Sequence, residues 1–219
     1  MSAASPSPPP PDDPAFAGDP AWRVTRELRD GTRVVVRPVT PDDREELRRG
    51  FLALSPESLY FRFLHVAALP SDELLSYLTA VDQRDHVAIG ATLESPDLKS
   101  ERGVGIARFV RLEGSAHTAE AAITVADDMH RRGVATVLLR ELLRAAKVRG
   151  IRALRAEVLA DNDTMRAILE RAGAVKVLAE CGEGTIAYDL AIDDDREKGP
   201  SLFDVLRGAA ETMAVRFRR

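Results

Sequence analysis

One stretch restricts the fold of this chain more than any other, Ala119 to Gly150, "AEAAITVADDMHRRGVATVLLRELLRAAKVRG". A β-like run, "AEAAITVA", passes through a short polar loop into an apolar-faced helix. Val134, Val137, Leu138, Leu142 and Ala145 recur at helical spacing and Gly150 ends the helix, so it runs from about Val134 to Arg149. A helix N-terminus exposes unpaired N–H groups and a partial positive charge, both of which favour an anion. Gly133 lets a phosphate approach the backbone closely, Ala135 keeps that surface low, and Arg131 and Arg132 add charge beside it. No Gly-Lys-Ser/Thr follows and the three-glycine dinucleotide spacing is absent, so this is neither a P-loop nor a Rossmann fingerprint. A solvated, well-capped helix start is the plain alternative.

Around this stretch the pattern is that of one domain. "DGTRVVVRPV" predicts a strand from Thr32 to Val36, and helix starts follow at Thr40, Ser55 and Ser71, two of them with proline at the first helical position. "DHVAIGATLE", "GVGIARFVRLE" and "AEAAITVA" read as an antiparallel meander. After the long helix come a half-buried strand, "ALRAEVLA", a helix from about Asp163 to Ala172, and strands near Ala174–Leu178 and Thr185–Ala191. The class is α/β: a single mixed, mostly antiparallel sheet flanked by helices over residues 21–192. Residues 1–20, rich in Pro, Ser and Asp, are expected to be a disordered tail. Residues 193–219 are expected to form a charged linker and a C-terminal helix bearing Leu202, Leu206 and Met213.

A net charge of −4 over 219 residues argues against general binding to nucleic acid or to membrane surfaces, and no apolar run approaches a bilayer span. The single cysteine, Cys181, excludes an internal disulfide or a cysteine zinc cluster, and no metal site is expected. With no secretory signal pattern, the expected location is cytoplasmic.

"VADDMHRRGVAT" resembles the Gln/Arg-x-x-Gly-x-Gly/Ala pyrophosphate loop of the GCN5-related N-acetyltransferases (the GNAT family). The resemblance extends from Arg23 to Ala191, because the order of elements also matches that fold. It implies acetyl-CoA as co-substrate. Ile123 and Val125 would then face the pantetheine arm, and His130, Arg131, Arg132, Gly133, Val134, Ala135 and Thr136 the pyrophosphate. His130 departs from the usual Gln or Arg. Asn162 matches an asparagine that touches the cofactor arm in this family, and is equally suited to cap the next helix. Seven residues on, Leu169 stands where many members carry a tyrosine that protonates the departing thiolate, so any general acid here must be another group.

An amine must lose a proton before it attacks a thioester, and a carboxylate or histidine nearby would accept it. Glu120, on the strand entering the loop, is the expected base, because "AEAAITV" resembles the glutamate-bearing strand of bacterial protein lysine acetyltransferases. His117 is the weaker candidate, and nothing around Cys181 resembles an activating pair. "LRDGTRVVVRPVTPDDREELRRGFLALSPESLYFRF" resembles the start of the same branch. That likeness implies a protein lysine acceptor of the acyl-CoA synthetase type, with Tyr60 and Arg62 lining the acceptor groove, although core packing suits Phe61 and Phe63. Two other readings stand beside it: acetylation of a small amine, and a non-catalytic acyl-CoA sensor.

Overall fold

The computed structural model describes residues 14–56, 70–93, 101–171, 173–177 and 184–192. Tyr60, Arg62, Cys181 and the expected C-terminal helix lie outside these residues. The described elements are β1 (Val24–Glu27), β2 (Arg33–Pro38), α1 (Arg44–Ala53), α2 (Asp72–Thr79), β3 (His86–Leu93), β4 (Gly103–Arg111), β5 (Thr118–Val125), α3 (Val134–Val148), β6 (Ala153–Leu159), α4 (Asp163–Arg171), β7 (Val175–Lys176) and β8 (Thr185–Ala191). They build one eight-stranded sheet in the order β1-β2-β3-β4-β5-β6-β8-β7. Every neighbouring pair is antiparallel except β5 and β6.

Two findings differ from the expectations. Strand β1 is an additional element, paired with β2 from Val24↔Val36 to Glu27↔Arg33. Its inward position carries Arg26, whose guanidinium meets the fully buried Glu141 of α3 at 2.9 Å. A charge on the core face breaks the apolar alternation by which a strand is recognised. Ordered packing also begins before residue 20. Phe16 is completely buried, 5.2 Å from the Trp22 ring and beneath the Arg149 guanidinium, so three groups order a segment whose composition alone reads as a tail.

The core lies between the sheet and α3. Val34, Val36, Ile89, Ala107, Phe109 and Ala119 project onto the helix, which answers with Val134, Leu138, Leu142 and Ala145. Gly105 permits the close approach at the helix N-terminus. A Cβ there would stand 2.9 Å from the Leu138 Cδ1, closer than real carbon contacts, and a tight 3.1 Å from the Val134 Cγ1. That missing methyl lets the first turn of α3 settle onto β4. Around β6 and β8, a second cluster joins Val158, Ile186 and Tyr188 to Leu169 of α4.

Candidate active site

The single parallel pairing generates the site. Strands β5 and β6 share a register only over Thr118↔Ala153, Ala119↔Leu154 and Glu120↔Arg155. Beyond Glu120, β5 continues beside β4 as far as Gly105↔Val125, while β6 continues beside β8 as far as Leu159↔Thr185. The two strands therefore part into a wedge that opens toward their C-terminal ends.

Backbone alternation identifies which groups line the wedge. The Thr118 carbonyl accepts from the Leu112 N–H, and the Ala126 N–H donates to the Val104 carbonyl, so even-numbered residues of β5 turn their main chain to β4. The odd-numbered residues turn theirs the other way: the His117 carbonyl accepts from Ala153 on β6. The Ala121 N–H makes the last ladder bond of the Glu120↔Arg155 pairing, and beyond it the Ala121 carbonyl and both main-chain groups of Ile123 turn into the gap. Val125 does too, but its carbonyl accepts from the His130 Nε2 at 3.1 Å. The imidazole closes the open edge at its end and fixes the start of the loop.

At the mouth of the wedge stands the N-terminus of α3. Arg131 (φ +60°) and Gly133 (φ +102°) are both left-handed, which turns the chain sharply into the helix. The first intrahelical bond runs from the Val137 N–H to the Gly133 carbonyl at 3.1 Å. Gly133 has no side chain to cap the turn, so the amides of Val134, Ala135 and Thr136 have no intrahelical acceptor. A shallow concavity of about 210 Å³, its open mouth included, lies over them, lined by Val125, Met129, His130, Arg131, Gly133, Val134, Ala135 and Thr136. Seven of those eight residues are among the expected cofactor-binding set; Met129 is the addition.

The two loop arginines part company. Arg131 is exposed, and its side chain has no partner among the described residues. Arg132, expected at the phosphates, instead sends Nε to Asp30 (2.5 Å), Nη2 to the Thr32 hydroxyl (2.7 Å) and Nη1 toward the Met129 Sδ (2.9 Å). Its guanidinium is a strut to the β1–β2 turn.

Glu120 lies at the closed end of the wedge, where strand separation begins, and is 9% exposed. Side chains at even positions of β5 project from the face opposite α3, because Ala119, Ala121, Ile123 and Val125 pack on the α3 side. The Glu120 carboxylate therefore shares a face with Thr124 and, across β4, with Ile106 and Arg108. On that face a cavity of about 830 Å³, its open mouth included, lies between α1 and the sheet. Its walls are largely apolar (Val39, Leu47, Phe51, Ile106), with the Arg37–Asp43 ion pair (2.6 Å) at its edge. His117 is tied elsewhere: its Nδ1 donates to the Gly150 carbonyl at 2.9 Å.

Asn162 follows β6, and its carbonyl accepts from the Arg166 N–H at 3.0 Å, which makes it the N-cap of α4. Leu169 is 1% exposed within the apolar cluster around Tyr188, so that position contributes packing and no proton. Sequence reasoning missed the strut formed by Asp30 and Thr32. Its one local signal is the "RDGT" turn, which carries no hint of a partner about a hundred residues away.

Comparison with known proteins agrees with this geometry. Residues 33–175, more than half of the chain, match the family profile described as the acetyltransferase (GNAT) domain. The chain is 35% identical over 194 residues to the acetyltransferase Pat of Mycolicibacterium smegmatis, a match that covers 85% of this chain and 55% of that protein. It therefore spans about half the length of that relative. It is also 35% identical over 155 residues to the acetyltransferase PA5475 of Pseudomonas aeruginosa, covering 69% of this chain and 80% of that one. The crystal structure of the GNAT domain of S. lividans PAT superimposes with a TM-score of 0.66 at 30% identity, over 78% of this chain and 97% of that domain. With a parting strand pair, an uncapped helix start at its mouth and these relatives, the chain belongs to the GNAT acetyltransferase family.

Proposed function

We propose that this protein transfers the acetyl group of acetyl-CoA to the side-chain amine of a protein lysine, an acyl-CoA synthetase being the expected type of acceptor, with Glu120 as general base. The observation that carries the reading is the placement of Glu120 at the closed end of a wedge whose open end is an anion-binding helix start. The residues present fit the donor. Unpaired main-chain groups of Ala121 and Ile123 suit an extended amide-bearing arm, and the first-turn amides of α3 suit a pyrophosphate. The likeness to Pat and to the GNAT domain of S. lividans PAT supports a protein acceptor.

Bound acetyl-CoA supplies the acetyl group as a thioester. The chain's own part is orientation and proton transfer. A lysine ammonium, with an ordinary pKa near 10.4, gives a proton to the Glu120 carboxylate directly or through one water. Glu120 passes that first proton to solvent, the freed nitrogen bonds to the acetyl carbon as the carbon–sulfur bond breaks, and the nitrogen's second proton leaves for the departing thiolate or for solvent, giving the neutral amide. Leu169 offers no acid, and a thiol of ordinary pKa near 8.5 is an adequate leaving group as the thiolate.

The test is to incubate the protein with radiolabelled acetyl-CoA and candidate acyl-CoA synthetases, then map the modified residue. Label on a specific lysine, abolished in Glu120→Gln while CoA still binds, is the expected result. Rapid acetylation of a small amine with no labelled protein overturns the lysine assignment. CoA binding with no acceptor turned over by either form favours a sensor.

A further inference from the structure

The loop that opens onto the phosphate concavity bends through two left-handed residues, and one of them is Arg131, which has a Cβ. A non-glycine residue in that region costs of order 1 kcal/mol and persists where surrounding structure holds it. The residue between the two left-handed positions, Arg132, is the one whose side chain reaches out of the loop to fixed partners.

Those partners are themselves organised. Asp30 Oδ1 accepts from the Thr32 N–H at 3.0 Å, an Asx turn that closes the β1–β2 connection. This leaves Oδ2 for the Arg132 Nε at 2.5 Å, while the Thr32 hydroxyl accepts from Nη2 at 2.7 Å. The third donor edge lies against Met129, whose side chain is buried in the core beneath the loop. One planar guanidinium thus joins the β1–β2 turn, the loop and the core, using the fixed fork that distinguishes arginine from lysine.

We infer that Asp30, Thr32 and Arg132 form a latch that holds the loop in its anion-binding shape. Arg132 is then a positioning residue, and Arg131 is the arginine left to meet a phosphate. The inference rests on reading the loop as the CoA pyrophosphate site. The pair stays charged through the neutral range, since the Thr32 N–H, then Arg132, holds the Asp30 carboxyl at about 2. Asp30 and Arg132 are both partly exposed, so the latch contributes little to global stability. Its effect falls on the fraction of molecules whose loop is ready to bind.

The experiment is calorimetric titration of the full chain with CoA for the native protein, Asp30→Asn, Arg132→Gln and the double variant. Asparagine keeps the Asx turn and removes the charge facing Arg132. The expected result is about three- to fivefold weaker CoA binding in each single variant, no further loss in the double variant, and an unchanged melting temperature without ligand. Thr32→Val, which removes only the hydroxyl acceptor, should weaken binding by a smaller factor and serves if Asp30→Asn folds poorly. Native affinity retained in Asp30→Asn and Thr32→Val overturns the latch. So does an Arg132→Gln loss that adds fully to the Asp30→Asn loss, because Arg132 would then touch the phosphate itself. Failure of the native protein to bind CoA overturns the underlying reading of the loop instead.

Discussion

The two faces of β5 are built on different principles. Toward β6 and the α3 N-terminus, the features that suit a cofactor are main-chain groups: the edge of Ala121 and Ile123, then the amides of Val134 to Thr136. Toward α1 and α2 the surface is side chains from distant segments, with Arg108, Ile106, Leu47 and Phe51 meeting only in the folded molecule and Glu120 farther along the same face. A site made of backbone needs a particular chain geometry and tolerates changes of side chain, which is how His130 replaces the usual Gln or Arg. A site made of side chains is altered by each substitution. The first kind suits a donor common to a whole family, the second an acceptor that differs among its members.

The largest expected effect separates the two faces. Glu120→Gln should lower kcat by about 10²- to 10⁴-fold while leaving the Kd for CoA unchanged, as steady-state kinetics and calorimetry would show. An equal loss in both would mean that Glu120 belongs to the cofactor face. Next comes the scaffold behind the cofactor wall. Glu141 is fully buried between Arg26 at 2.9 Å and Arg144 at 3.1 Å. Glu141→Gln should cost about 3 kcal/mol in a urea titration, because it leaves the charge on Arg26 buried without its counter-ion.

A smaller effect probes the main-chain claim itself. A Cβ at Gly133 would have open space, with only the Arg29 Cγ at 3.8 Å, yet φ there is +102°. Gly133→Ala should therefore cost about 1–2 kcal/mol through backbone strain alone and weaken CoA binding, whereas His130→Gln should bind normally. If both bind normally, backbone shape is not what the loop supplies.

At neutral pH the smallest effect belongs to the face that carries Arg108. His86 is held neutral, its pKa brought down to about 4 from 6.5 by burial and then by Arg108, against an opposing pull from Asp82. Its Nε2 lies 3.1 Å from the Arg108 Nη1 and, unprotonated, accepts from it. Between those two pH values the unfolded chain binds a proton that the folded chain refuses, so stability falls as pH drops from about 6.5 to about 4. His86→Gln should flatten that part of the melting-temperature profile and leave the neutral-pH value nearly unchanged.

Legibility in the sequence follows the same division. The meander, the long helix, the phosphate-type loop and the β6–α4–β8 order are written in local periodicity and turn residues, and the structure places each of them within a few residues of expectation. Strand β1 was hidden because Arg26 projects inward to Glu141, so its alternation reads as polar. Phe16 was hidden by a proline-rich neighbourhood, although Trp22 and Arg149 enclose it. The different contacts of Arg131 and Arg132 could not be read at all. Adjacent identical residues are separated only by a turn a hundred positions upstream that reaches one of them. Where local pattern carries the information it was visible, and where a long-range side-chain contact carries it the fold had to be seen.

If backbone along the wedge binds the donor, CoA should protect its free amides from hydrogen exchange. Exchange should slow at Ile123, Val134, Ala135 and Thr136, with little change in α2 or β2. Protection confined to the α1 face, with those four amides unaffected, would mean that the donor binds elsewhere.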